Sequence, residues 1–228
     1  MRITICFGGS ILVKKEPRVE VLKEIRETLN DLKEDEHDIL VVTGGGKVSR
    51  SYIKIGKEMG VSNKILDEIG IQATRLNAQL LIGVLGDLAS LNPKESFESA
   101  VQEVLRGKIP VMGGTVPGHT TDAVSAELAD NSNSDMLVFF TNVDGVYTAN
   151  PKTDENAKKI DSMSAKELLD LAKKEKFSPG MSAIIDPLAA EILQKSKIKA
   201  LVLGEGEIER LPEILKGSEH SGTTVLPD

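Results

Sequence analysis

The chain has 228 residues, of which 40% are hydrophobic, so it is long enough to bury the core of one large α/β domain or of two small domains. The net charge of −7 argues against a nucleic-acid binder, because affinity for a phosphate backbone depends on clustered Lys and Arg. The single cysteine, Cys6, cannot form an internal disulfide, and no apolar run approaches the ~20 residues of a membrane helix, so we expect a cytoplasmic protein without a membrane span.

Short β-branched runs alternate with amphipathic stretches along the first two thirds of the chain. The strand-like runs are RITICF (2–7), DILVVT (38–43), IPVMGG (109–114) and DMLVFFTNV (135–143). The helical patterns cover 17–33, much of 47–86, 95–106 and a segment that starts near Asp122. Pro17 would lie in the first helical turn, where its missing N–H has no partner anyway. This alternation predicts parallel strands joined by crossover helices.

The remaining third predicts the same α/β pattern. DGVYTANP (144–151) has turn chemistry, and SAKELLDLAKK (164–174) opens with a capping box in which Ser164 and Glu167 satisfy each other's backbone donors. A helix is expected after Pro187, then a strand at 199–204, a helix near 207–216 and a final strand in GTTVLP (222–227). We therefore expect one mainly parallel sheet with helices around it.

Three glycine clusters follow three of the predicted strands: FGGS (7–10), TGGGK (43–47) and MGGTVPGHTTD (112–122). The carboxyl ends of parallel strands share one edge of the sheet, where open α/β folds bind ligands. Glycine lets the main chain approach an anion closely, and a following helix start offers N–H donors. A single cluster is explained by turn geometry alone, whereas three at one edge favour a phosphate site.

Several side chains near these clusters are candidates for the chemistry. Lys47 and Arg50 begin a helix, where cations are unfavourable unless an anion is bound, although either is also compatible with a solvated surface residue. Asp122 stands where it could orient a basic residue or a metal ion, and it could equally cap a helix. His119 is in a loop, where a histidine more often has no catalytic role. Tyr147 lies in a turn where an adenine could stack, and a plain hairpin explains it nearly as well.

The ordered motifs FGGS, VTGGGK, GHTTDA, TNVDGVYTANP and IIDPLAA resemble the amino-acid-kinase superfamily, and within it the archaeal type of uridylate (UMP) kinases. The resemblance covers essentially the whole chain. It implies a three-layer α/β/α sandwich that phosphorylates a carboxylate, carbamate or phosphate acceptor from ATP. It also implies that the glycine turns hold the transferring phosphoryl group, because no window of the chain matches the phosphate loop G-x-x-x-x-G-K-[ST].

Carried onto this sequence, the resemblance implies two sets of binding residues. Those expected around ATP are Gly9, Ser10, Gly46 and Arg50 at the phosphates, with Thr141, Tyr147 and Asn150 at the nucleoside. Those expected around UMP are Gly45, Asp67 at the ribose, and the loop of Thr115, Val116, Pro117, Gly118, His119, Thr120 and Thr121. Lys47, Arg50 and Asp122 are the expected catalytic residues. Roughly 1–135 would bind the acceptor and 136–228 would bind ATP, within one domain over 1–228.

The chain departs from the family pattern at three places. Cys6 stands where many relatives have a lysine, so Lys47 is the candidate replacement for that charge. Ile184 stands where relatives that phosphorylate acetylglutamate or carbamate have another lysine, which favours the uridylate branch. Asn150 stands where close relatives often have Asp, which weakens its expected contact with adenosine.

The resemblance implies transfer of the γ-phosphoryl group of ATP to UMP, with Mg²⁺ bridging donor oxygens, by a homohexamer in pyrimidine nucleotide synthesis. It also implies small-molecule substrates rather than nucleic acid or a membrane as partners. The protein ligands of the metal stay unknown at this level. Two alternatives stay open: another small-phosphate kinase of the superfamily, such as an isopentenyl phosphate or fosfomycin kinase, and a nucleotide-binding storage or regulatory protein that binds ATP without turnover.

Overall fold

The structure is a computed structural model that describes residues 1–149, 151, 154–174 and 185–228. The elements of its first half are β1 Arg2–Phe7, α1 Gly9–Leu12, α2 Val19–Glu34, β2 Asp38–Thr43, α3 Gly46–Glu58, α4 Asn63–Leu85, α5 Phe97–Leu105, β3 Val111–Met112, α6 Thr121–Asn131 and β4 Met136–Thr141. Those of its second half are β5 Val146–Tyr147, β6 Lys159–Ile160, β7 Ser162–Ser164, α7 Ala165–Lys174, α8 Pro187–Ser196, β8 Lys199–Gly204, α9 Leu211–Leu215 and β9 Thr223–Leu226.

One sheet organises the described part of the chain, with strand order β3-β2-β1-β4-β8-β9-β7. All neighbouring pairs in it are parallel except β8 with β9. The predicted mainly parallel α/β sheet is therefore confirmed. Since the glycine clusters follow β1, β2 and β3, they lie together at the carboxyl edge on one side of the sheet.

Alternate side chains of the central strands enter two separate helical layers. Ile5 and Phe7 of β1 pack with residues of α2 and α4 on one face, where the rings of Phe7 and Phe140 stack with centroids 5.3 Å apart. Cys6 of β1 and Phe139 of β4 pack with α6, α7 and α8 on the other face. Strands that are buried on both faces have continuous apolar runs in their sequences, as these strands do. The expected three-layer α/β/α sandwich is the observed architecture.

Several predicted boundaries are wrong for identifiable reasons. The helical pattern predicted through much of 47–86 is present as two helices, because α3 ends at Glu58 and Gly60, at φ +73°, turns the chain before α4. Pro17 lies before α2 and pairs with Val13 in an isolated bridge rather than in the first helical turn. The helix expected over 207–216 is reduced to α9, because a ring at Pro212 is tolerated only in the first turn of a helix.

The strands at 109–114 and 135–143 are also shorter than predicted, since the strands there are Val111–Met112 and Met136–Thr141. The capping box of α7 is present: the Ser164 hydroxyl accepts from Glu167 N at 3.1 Å, and Ser164 N donates to the Glu167 carboxylate at 2.8 Å. No helix in the described ranges has the length and apolar character to cross a membrane.

Candidate active site

The glycine turns after β1 and β2 are in direct contact at the carboxyl edge of the sheet. Gly8 N donates to Phe140 O at 2.9 Å, and Gly44 N donates to Phe7 O at 2.9 Å. A Cβ on Gly9 would overlap the backbone nitrogen of Gly46, and Gly46 itself has φ +61°. Only glycine fits both positions, so the two backbones can approach each other closely at this edge of the sheet.

Polar side chains on the buried face of α4 hold the glycine turns after β2 and β3 in place. Asn77 Nδ2 donates to Gly44 O at 2.7 Å, and the Thr74 hydroxyl accepts from Gly114 N at 2.6 Å. The Thr43 hydroxyl donates to Thr74 O at 3.0 Å. Sequence reasoning did not identify Thr74 or Asn77. The signal available was their place on the apolar stripe of α4, where a buried polar side chain needs a partner.

A cleft of about 140 Å³ opens beside the two turns and brings together several of the expected residues. Gly9, Ser10, Arg50, Asp122 and Thr141 line it. The guanidinium of Arg50 donates to the Ser10 hydroxyl at 3.1 Å. The cleft therefore combines backbone N–H groups, a hydroxyl, a cation and a carboxylate at the edge of the sheet where the strands end.

Asp122 has an electrostatic environment that disfavours its charged form. Burial, and to a smaller extent the negative charge of Asp186, raise the pKa of the Asp122 carboxyl to about 7. Position 6, where the resemblance implies a lysine in many relatives, is Cys6 in this chain. The Cys6 Sγ lies 3.9 Å from Asp122 Oδ1. Burial together with Asp122 raises the pKa of the Cys6 thiol well above its usual value, so this thiol stays neutral. A cation bound in the cleft would favour the carboxylate.

Asp186 and Thr120 fix the position of Asp122 by capping two helices. The Asp186 carboxylate accepts from Leu188 N at 2.8 Å and Ala189 N at 3.1 Å at the start of α8, and it also accepts from the Thr120 hydroxyl. The Thr120 hydroxyl in turn accepts from Ala123 N at 3.1 Å at the start of α6. The capping role foreseen for this stretch thus belongs to Thr120.

A second cleft of about 390 Å³ adjoins the first and shares Thr141 and Asn142 with it. Tyr147 is anchored beside it, because its hydroxyl donates to Asp144 Oδ1 at 2.7 Å. The pKa of Asp144 is lowered by that hydrogen bond and by Lys159. Tyr147 also pairs with Lys159 between β5 and β6, so the hairpin alternative is present. Stacking of Tyr147 on adenine stays a prediction, and Asn150 lies outside the described residues, as does Ile184.

The expected acceptor residues lie along α4 and the loop after β3. Ile71 approaches Gly114 at the start of this loop, and Asp67 lies one turn earlier on the same face of α4, exposed to solvent. Gly45 faces Ser49 so closely that a Cβ would meet the Ser49 Cβ at 2.5 Å. His119 Nδ1 lies 3.4 Å from the Glu127 carboxylate. This contact with α6 is sufficient to explain the position of His119 by a structural role.

Gly118 turns the loop at φ +89°, and the chain from Thr115 to Thr121 runs from β3 into the first turn of α6. Lys47 lies in the first turn of α3 with an exposed side chain and is not among the residues that line the first cleft. Arg50, one turn later, is the cation that does reach it.

Comparison with known proteins identifies relatives over the whole chain. The model of the amino acid kinase family matches residues 1–204. A uridylate kinase of Methanocaldococcus jannaschii is 48% identical over 218 residues, which are 95% of this chain and 96% of that protein. A uridylate kinase of Thermococcus kodakarensis is 44% identical over 227 residues and the full length of both chains.

Solved structures give the same result for the fold. The crystal structure of uridylate kinase from Archaeoglobus fulgidus has a TM-score of 0.87 at 39% identity, over 99% of this chain and 100% of that chain. An aspartate kinase from Synechocystis has a TM-score of 0.73 at 18% identity and shares the fold alone.

Proposed function

This chain belongs to the amino acid kinase family, and on that premise we propose that it is a UMP kinase, which transfers the γ-phosphoryl group of ATP to UMP and releases UDP and ADP. The observation that carries the choice of UMP is the 48% identity with a uridylate kinase over 95% of the chain. The paired glycine turns support the phosphotransferase activity, because they offer backbone donors to an anion at the edge of the sheet.

We assign the ATP phosphates to the first cleft. Gly9 and Gly46 would supply backbone N–H groups, while Ser10 and Arg50, already in contact at 3.1 Å, would supply a hydroxyl and a positive charge. The nucleoside would extend past Thr141 into the second cleft. There Tyr147, held by Asp144 at 2.7 Å, offers the face of an aromatic ring, and Asn150 is expected nearby.

We assign UMP to the side of the glycine turns that faces α4 and the loop after β3. Asp67 would accept hydrogen bonds from the ribose hydroxyls, and Gly45 with the loop 115–121 would hold the rest of the nucleotide. The phosphate of UMP is itself the nucleophile and is largely ionised near neutral pH. No strong general base is therefore required, and catalysis is mostly positioning and charge stabilisation. In this arrangement the acceptor lies against roughly 1–135 and the nucleoside of ATP against roughly 136–228, while the ATP phosphates also contact the glycine turns of the first part.

The negative charge on the transferring phosphoryl group must be stabilised by cations. Since Cys6 stands in the first strand where many relatives have a lysine, other residues must supply this positive charge. Arg50 lies at the cleft and is suited to planar contacts with phosphate oxygens. Lys47 precedes it by one turn of α3 and would reach the same group when the nucleotides are bound. Asp122 would orient these cations or the metal.

Mg²⁺ fits the donor set of the site. It is usually held by one or two carboxylates together with substrate phosphates rather than by a protein cage. Across the described residues no group of three or more His, Cys, Asp and Glu side chains could hold a metal ion. Among the residues that the structure describes, no cation pairs with the Asp122 carboxyl, so it is the side chain that would hold Mg²⁺. When bound, this ion would neutralise charge on the ATP phosphates.

We further propose that the enzyme works in the cytoplasm, in pyrimidine nucleotide synthesis, as a homo-oligomer and by resemblance a hexamer. Support for association comes from apolar side chains on the outer faces of α3 and α4. Tyr52, Ile55, Met59 and Leu76 there are each more than 60% exposed. Apolar groups clustered on a surface favour burial by a partner. Light scattering of the purified protein would give the number of subunits.

The experiment that tests the proposal follows both products by ³¹P NMR after the protein is mixed with ATP, Mg²⁺ and UMP. We expect UDP and ADP to appear in equal amounts. Release of ADP and inorganic phosphate without UDP would indicate hydrolysis, and bound ATP without turnover would indicate a storage or regulatory protein.

A further inference from the structure

Arg18 and Glu205 form a two-pronged ion pair between two distant parts of the chain. Arg18 NH1 lies 2.5 Å from Glu205 Oε2, and Arg18 NH2 lies 2.6 Å from Glu205 Oε1. Both side chains are mostly covered, with 23% and 33% of their surface exposed. This fork-to-fork geometry fixes direction as well as distance, which a single contact does not.

The same guanidinium also holds the short helix that carries the expected phosphate residues. Arg18 NH1 donates to Ile11 O at 3.2 Å, and the backbone N of Arg18 donates to Leu12 O at 3.0 Å. Both carbonyls belong to α1, which starts at Gly9 and contains Ser10. This helix has only four residues and no side chain caps its start, so contacts from outside must fix its orientation.

Glu205 lies on the other side of the ATP site. It begins the turn of 3₁₀-helix after β8 and lines the second cleft together with Thr141 and Asp144. The hydrogen bond from Arg18 lowers the pKa of the Glu205 carboxyl, so both partners are charged near neutral pH. Arg18 therefore joins the helix at the phosphate cleft to the wall of the nucleoside cleft.

We propose that Arg18 is a positioning residue for the phosphoryl donor, and that its pair with Glu205 holds Ser10 and the glycine turn of β1 at the correct distance from the nucleoside cleft. The proposal rests on the ATP site assigned above and deepens it. Arg18 itself would touch no substrate. Its loss would let α1 shift relative to the second cleft, so one ATP molecule could no longer make its phosphate and nucleoside contacts together.

Arg75 provides a matched control on the acceptor side. Its Nε donates to Gly114 O at 3.3 Å, and its NH1 pairs with Glu95 at 2.8 Å. It is covered to a similar extent, with 20% of its side chain exposed. Arg75 thus supports the glycine turn after β3 much as Arg18 supports the turn after β1. Loss of either removes one half-buried guanidinium, but the proposal assigns the two losses to different substrates.

The experiment measures ATP binding by titration calorimetry, together with the KM values for ATP and UMP, for Arg18→Ala, Arg18→Lys, Glu205→Gln and Arg75→Ala. We expect Arg18→Ala to weaken ATP about tenfold or more and to change the KM for UMP less than about threefold. Arg75→Ala should show the opposite preference. Arg18→Lys should recover only part of the ATP affinity, because an ammonium cannot make both contacts at once.

An equal loss for ATP and UMP in Arg18→Ala, or an unchanged ATP affinity, would overturn the proposal and leave a purely structural ion pair. Should Arg18→Ala fail to fold, Arg18→Lys decides by the same criterion, because lysine cannot make both contacts with Glu205 and position 18, unlike Glu205, does not line the second cleft. Absence of UDP formation by the parent protein would reject the proposed function alone, because ATP binding to the variants still tests the role of Arg18.

Discussion

Asn77, in the middle of α4, donates a hydrogen bond of 2.7 Å from its side-chain amide to the carbonyl oxygen of Gly44, 33 residues earlier in the chain. Asn77 is only 3% exposed. The glycine turn that follows β2 is therefore fixed by a buried polar side chain of α4 that the sequence analysis did not identify. Because this hydrogen bond fixes the turn from the side of α4, the opposite side of the turn can contact a ligand without rearranging.

We expect Asn77→Ala to lower the free energy of unfolding by about 1–3 kcal/mol, because it leaves the buried carbonyl of Gly44 without a partner. Turnover should fall as well, since the turn loses its support. Urea denaturation and steady-state kinetics measure the two effects. Asn30→Ala is the control: it removes a surface hydrogen bond to Glu34 of equal length and should change stability by less than about 0.5 kcal/mol. Equal losses in the two variants would contradict this account.

Gly9→Ala should abolish turnover, because the added Cβ would overlap the backbone of Gly46 and force the two turns apart. Gly83→Ala is a control within α4, where a Cβ meets nothing within 4 Å. There we expect a gain of about 0.5–1 kcal/mol from the higher helix propensity of alanine. Thermal melts and an ADP-release assay distinguish the two outcomes. Normal activity of Gly9→Ala would mean that the turns separate without cost.

The raised pKa of Asp122 predicts a pH dependence of stability. The folded protein holds this proton up to about pH 7, whereas the unfolded chain releases it near the usual value, so the contribution to stability is present at low pH and is lost as the pH rises toward 7. Relative to the parent, Asp122→Asn should therefore gain stability as the pH rises from about 4 to about 7, and the gain should then stay constant at no less than about 1 kcal/mol. Its turnover should fall because no carboxylate remains.

Asp144→Asn gives the opposite sign in the same denaturation series. The hydrogen bond from Tyr147 and the charge of Lys159 lower the pKa of Asp144, so its contribution is present above the unfolded pKa and is lost as the pH falls. The variant should be less stable than the parent at neutral pH and approach it in acid. Parallel pH curves for the two variants would show that at least one of the two carboxyls lacks the environment described.

Lys47→Ala should lower kcat and kcat/KM together by about a hundredfold while leaving substrate affinity nearly unchanged. The reason is that β1 carries Cys6 where many relatives have a lysine. The negative charge on the transferring phosphoryl group therefore needs another cation to stabilise it in the transition state. Circular dichroism checks the fold before steady-state kinetics are measured. A kcat within about threefold of the parent would assign that charge to Arg50 and Mg²⁺ instead.

Asp67→Asn should weaken UMP about ten- to a hundredfold and leave ATP binding nearly unchanged, because a carboxylate on the ribose hydroxyls touches only the acceptor. The exposed position of Asp67 on α4 makes misfolding of the variant an improbable cause of any loss. Titration calorimetry with each nucleotide provides the measurement. Similar losses for both nucleotides would make Asp67 a structural residue.

The inner strands were predictable because burial on both faces imposes continuous apolar runs. The bounds of β1 and β2 agree with the runs at 2–7 and 38–43. The division between α3 and α4 was not predicted, because the helical periodicity continues across the turn at Gly60. The strands β6 and β7 were missed as well, since two or three partly exposed residues give no pattern above that of a loop.

The expected site residues were identified by resemblance, while the contacts that hold them needed coordinates. Gly9, Ser10, Arg50 and Asp122 line one cleft, and their expected roles stay predictions. The sequence did not predict the supporting residues Thr74, Asn77 and Glu205, because each acts through a hydrogen bond to a residue at least 30 positions away. Lys47 and Asp67 have exposed side chains, so their roles depend on what binds beside them.

The central claim, that UMP is the phosphoryl acceptor, is tested most directly by kcat/KM in a coupled ADP-release assay with UMP, CMP, dUMP, carbamate, fosfomycin and isopentenyl phosphate as acceptors. We expect the highest kcat/KM for UMP, and a poor one for CMP, with ATP and Mg²⁺ held constant. A higher kcat/KM for isopentenyl phosphate, fosfomycin or carbamate than for UMP would contradict it.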